Sequence, residues 1–67
     1  MNQHATAVSA IEDAIRTMLL PGTGEIEEAK AEASIVAYFN VFAISAEEFK
    51  HYCERVRRIA ERRKEEA

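Results

Sequence analysis

Sixty-seven residues with 12 acids, nine Lys and Arg and a formal net charge of -3 make one domain, and a core of this size supplies only about 3–5 kcal/mol unless something staples it. A single cysteine excludes an internal disulfide, and His4, His51 and Cys53 do not assemble a metal-ligand set, because positions two apart on a helix point to different faces. Oligomerisation is the staple that remains. The charge is uneven: residues 1–49 hold eight acids against Arg16 and Lys30, whereas residues 50–67 hold seven bases against four acids.

The opening MNQHATAVSA has no basic start followed by an apolar run, so no signal peptide is expected. The apolar run from Ala33 to Ala46 is shorter than the roughly 20 residues that span a bilayer and contains Asn40. A cytoplasmic protein without cofactor is expected.

The first helix is predicted over about 6–20, with Val8, Ile11, Ile15, Met18 and Leu19 on its apolar side and Glu12, Asp13 and Arg16 opposite. Pro21 and Gly22 stop it. The letters of Leu20-Pro21-Gly22-Thr23-Gly24 match the LPxTG sorting signal, but a helix stop beside turn glycines explains them, since no membrane-length apolar segment follows. The turn 21–24 is short enough to set the next helix antiparallel to the first.

The second helix is predicted over about 25–43, capped by Thr23 or Gly24 and starting with Glu25, Glu27 and Glu28, the sign that a helix N-terminus prefers. Ala29, Ala33 and Ala37 place small residues every four positions, suited to close approach by helix 1. Two apolar stripes overlap here. One runs Ile26, Ala29, Ala33, Val36, Asn40, and the other runs Ile35, Phe39, Phe42, Ala46, Phe49, Cys53, Val56, Ala60. A helix apolar nearly all round needs neighbours on more than one side.

Ser45 has the parts of a helix start: Glu48 stands three residues on for a capping box, and Ile44 and Phe49 form a hydrophobic staple. A break near 43–45 is expected, with a third helix over about 46–64. A single helix running through Ser45 is the alternative that would keep the second stripe straight. Glu54–Arg58, Arg57–Glu61 and Arg62–Glu66 are expected to pair at i,i+4. Cys53 is expected to be buried on the seam.

The predicted fold is therefore all-α, a helical hairpin plus a third, C-terminal helix, assembled as a homodimeric bundle through Ile35, Phe39, Phe42, Phe49 and Val56. No catalytic constellation is visible. Glu47 and His51 share a helical face as surface partners, and Gly22 and Gly24 are followed by acids that would repel phosphate. The pattern points to a non-enzymatic protein-binding regulator. The candidate partner-facing residues are Arg16 and Tyr38, because interface anchors tend to be arginine or aromatic, with Glu27 and Glu28 steering a basic partner.

The alternative is DNA binding, because Phe42 to Phe49 has the outline of the turn and second-helix start of a helix-turn-helix. Ala43 stands where glycine is usual, and Glu47 and Glu48 occupy the turn that should face bases. Arg55, Arg57, Arg58, Arg62 and Arg63 lie further along, where they reach backbone only.

In length and layout, with a helical hairpin bearing Arg16 on helix 1 and an acidic, alanine-rich helix 2, the chain resembles the small helical anti-activators of temperate phages that bind a host quorum-sensing regulator. The resemblance implies a dimer of short helices that inhibits a host protein, such as a transcriptional regulator, by stoichiometric occupation of its surface.

Overall fold

The computed structural model describes residues 2–66, which form three helices, α1 (Gln3–Met18), α2 (Glu25–Asn40) and α3 (Ala46–Glu66), with no strand among the described residues. Helix α1 starts one turn earlier than its apolar periodicity announces. The Asn2 side chain accepts from the amides of His4 (3.0 Å) and Ala5 (3.3 Å), satisfying two of the free N-terminal donors. It ends at Met18 rather than Leu20. The Thr23 hydroxyl donates toward Met18 O (3.0 Å) and Leu20 O (2.8 Å), tying the turn back onto the carbonyls that the helix leaves open.

Gly24 is the N-cap of α2, and its amide donates to the Glu27 carboxylate at 2.6 Å. Helix α2 ends at Asn40, three residues short of the expected 43, and the chain breaks over 41–45 instead of continuing as one helix. Phe42 makes the break, holding φ at +60°, the left-handed conformation that ends helices. Ser45 then starts α3 with the full capping box: the Glu48 amide donates to Ser45 Oγ (3.1 Å) and the Ser45 amide donates to Glu48 Oε1 (2.8 Å).

The helices run up, down and up. Gln3 and Thr6 face Tyr38 and Val41 at one end, and Ala14 and Thr17 face Glu27 and Lys30 toward the other, so α1 and α2 are antiparallel. Phe39 stacks on Phe49 with ring centroids 4.4 Å apart while Arg63 reaches Glu28, so α2 and α3 are antiparallel too. His4 meets Glu48 and Glu12 meets Arg55, which sets α3 parallel to α1.

The core is Ala7, Ile11, Ile15 and Met18 from α1, Ala31 and Ile35 from α2, Ala43 and Ile44 from the turn, and Tyr52 and Val56 from α3. Ala14, Tyr38, Phe39, Phe49, Cys53 and Ile59 pack against it, partly buried. Leu19, expected on the apolar side of α1, lies past the helix end and is exposed. Ala29, Ala33 and Ala37 do not meet α1: all three are exposed, because α1 and α3 both lie on the side of α2 that carries Ala31 and Ile35. On α3 the buried centre is Tyr52 and Val56, turned from the expected seam so that Cys53 is half-buried.

Candidate functional site

Helix α2 has two opposite apolar faces, and folding uses one. At 100° per residue, Ala31, Ile35 and Tyr38 cluster on the inward side with Glu28 and Phe39 at its flank. Ile26, Ala29, Ala33, Val36, Ala37 and Asn40 cluster opposite and are all exposed, Ile26 at 68%. Lys30, Glu25 and Glu32 edge that outer face. Beyond its C-terminal end stand Val41 and Phe42, the latter 92% exposed. An apolar strip running from Ile26 to Ala37 and closed by Asn40 on so small a chain is the surface feature that most needs an explanation.

The residues expected on a shared dimer seam are divided by the fold. Ile35 (0% exposed) and Val56 (1%) lie in the chain's own core and are not available to a second molecule. Phe39 and Phe49 are half-buried and stack on each other between α2 and α3. Phe42 alone of the five is open, since the left-handed turn takes it off the helical stripe to which its spacing assigned it.

The residues expected to face a partner do not form one patch. Arg16 is exposed on α1 and its Nη2 donates to Asp13 Oδ1 at 2.5 Å, not to Glu12. Glu12 is taken by Arg55, whose Nη1 donates to it at 2.7 Å. That bond is the main reason the Glu12 carboxyl sits below its ordinary range, and it raises the Arg55 guanidinium in turn. Tyr38 packs against Gln3 and Thr6, so along α1 it stands roughly 15 Å from Arg16 at 1.5 Å per residue.

Tyr38 lines a mostly apolar hollow of about 330 Å³ with Gln3, Thr6, Val41 and Ala43. Glu27 serves the α2 cap, and the Gly24 amide lowers its carboxyl first among several causes. Glu28 accepts from Arg63 Nη2 at 2.9 Å and thereby fastens α3 to α2.

Among the α3 arginines that could follow a nucleic-acid backbone, Arg55 and Arg63 are thus committed to α1 and α2. Helix α3 also packs antiparallel along α2, whereas the two helices of a helix-turn-helix stand at about 90–120° to each other. Burial pushes the Cys53 thiol up, with the Glu32 charge adding to it, away from the reactive thiolate. Glu47 and His51 are both exposed. No group of three or more His, Cys, Asp or Glu side chains able to hold a metal occurs among the described residues, and no helix there is long and apolar enough to cross a membrane.

Sequence reasoning missed Tyr52 and Ala31 as core and the outer face of α2 as open surface. The spacings Ala31–Ile35–Tyr38 and Phe49–Tyr52–Val56–Ile59 carried the signal for the inward faces. Comparison with protein-family models, curated proteins and solved structures gives no match.

Proposed function

We propose that this chain is a small non-catalytic regulator of the cytoplasm that acts by binding proteins, as a homodimer that inhibits a host protein, such as a transcriptional regulator, by stoichiometric occupation of its surface. The observation that carries this reading is the apolar surface left open after folding: the outer face of α2 and the Val41–Phe42 turn beside the Tyr38 hollow. A chain with so small a core gains little by leaving such surface wet, and gains stability and affinity by covering it.

The host-facing part of that surface is the Gln3–Thr6–Tyr38–Val41 hollow, with Arg16 a separate contact further along α1. Immobilised chain is expected to retain a specific protein from a bacterial lysate. Val41→Asp, at an exposed position, is expected to keep helicity and weaken capture at least tenfold, and Arg16→Ala to weaken it less. Sequence-selective binding to duplex DNA at physiological salt, lost on Arg58→Ala, would instead establish the DNA-binding reading and overturn this one.

A further inference from the structure

We infer that the hollow between the α1–α2 turn and the end of α3 takes an acidic segment of another protein, one in which a carboxylate side chain stands beside a bulky apolar one. This hollow lies at the opposite end of the bundle from the Tyr38 hollow and does not depend on the role proposed for it.

The hollow measures about 370 Å³. Leu19, Leu20 and Ile59 form its apolar walls, and Arg62, Arg63 and Glu66 its charged side. Leu19 and Leu20 are 63% and 58% exposed, because the chain there has left α1 and not yet entered α2. The backbone beneath them is fixed all the same, since the Thr23 hydroxyl reaches both Met18 O and Leu20 O. The frame is therefore preformed, with two lightly packed side chains on its rim.

The charged side decides the occupant. Arg63 gives Nη2 to Glu28 at 2.9 Å, while its Nη1 is buried and has no acceptor among the described residues. A buried donor left unpaired is rare, because the water it gave up has not been replaced. Water does not reach this nitrogen, so an acceptor gains it only by shifting a wall, and the Leu19 and Leu20 side chains are walls that can shift. Arg62 is exposed and, unlike Arg55, Arg57 and Arg63, forms no ion pair with a described residue. Glu66 is the one acid on the wall, so the hollow is positive on a chain whose formal charge is -3.

A carboxylate is the complement of two neighbouring guanidinium groups, and an apolar side chain next to it covers the leucines. A free small molecule fits less well, because small-molecule sites enclose most of their ligand and this hollow is open along the surface. A segment held by its own protein needs no such enclosure.

The test is a titration of the full chain, labelled with nitrogen-15, by two blocked tripeptides, leucyl-glutamyl-leucine and leucyl-glutaminyl-leucine. The glutamyl peptide is expected to move the amide signals of Leu19 to Thr23 and the side-chain N–H signals of Arg62 and Arg63. It should bind about fivefold more tightly than the glutaminyl peptide, a preference that added salt weakens. Arg62→Gln, at an exposed position, should keep helicity and remove most of that preference, while Leu20→Gln should weaken both peptides alike. Equal binding of the two peptides, signals that move only elsewhere on the chain, or a preference untouched by Arg62→Gln would each overturn the inference. Octanoate bound as tightly as the glutamyl peptide would overturn it too, by making the hollow a site for a free apolar acid.

Discussion

Phe42 holds a left-handed backbone at φ +60° while its ring is 92% exposed. For a side chain bearing Cβ that conformation costs on the order of 1 kcal/mol, and the ring recovers none of it from the core. Phe42→Asn, which tolerates the conformation better, is expected to raise unfolding stability by about 0.5–1 kcal/mol. Denaturant titration measures the change, and a stability left unaltered would show that the left-handed turn carries no such strain.

Glu48 gives the second expectation at this scale. Its carboxylate accepts from the Ser45 amide, which is the main cause of its lowered pKa, and sits 2.6 Å from His4 Nε2. Because the folded value lies below the ordinary 4.5, the stabilisation is complete above that value and is lost as pH falls through it to the lowered one. The start of α3 should therefore loosen at acid pH, seen as faster amide exchange of Ala46 to Phe49. Glu48→Gln should remove that pH dependence, and Ser45→Ala should cost about 1 kcal/mol at neutral pH.

At the scale of the helix, neighbouring positions on α2 have opposite duties. Ile35 is fully buried between α1 and α3, whereas Val36 is exposed on the outer face. Ile35→Ala is expected to cost about 2–5 kcal/mol, enough to unfold a chain this small, while Val36→Ala should change monomer stability by less than about 0.5 kcal/mol and act on assembly instead. Thermal unfolding of the two variants separates the faces.

This is also where the sequence stopped being readable. The break before α3 could be seen because its capping box lies within four residues. Which side of α2 faces inward could not, because alanines and β-branched residues recur on both sides and neither face is polar. Nor could the Glu12–Arg55 and Glu28–Arg63 bonds, whose partners lie far apart in the chain. Local rules predicted Arg57–Glu61, which stands at 3.9 Å, and assigned Arg58 and Arg62 similar intrahelical partners, while Arg55 and Arg63 reach across to other helices. The left-handed Phe42 had no local announcement, since glycine or asparagine usually fills that role.

At the scale of the whole molecule, 67 residues enclose a core in which Tyr52 is the one aromatic fully taken in and the other large members are Ile11, Ile15, Met18, Ile35, Ile44 and Val56. Such a core leaves a stability of about 3–5 kcal/mol, so assembly would be a large fraction of the total. The midpoint of thermal unfolding is therefore expected to rise with protein concentration. A midpoint that ignores concentration in the unaltered chain would mean that the single chain is stable by itself.

The turn at 41–45 also governs which chain α3 packs on. The stripe Ile35, Phe39, Phe42, Phe49 and Val56 keeps its spacing across the break, so the left-handed Phe42 and the Ser45 cap are what interrupt the helix locally, and the Phe39–Phe49 stack and the Glu28–Arg63 bond then fasten α3 to its own α2. Removing both, as in Phe42→Ala with Ser45→Ala, would let α2 and α3 merge into one rod and send α3 to the α1–α2 hairpin of a neighbour. The same core would then be rebuilt between two molecules by exchange, a route to dimers that costs little because every contact already exists. One strained residue and one serine thus act as the hinge pin that keeps this protein from trading arms with its copies.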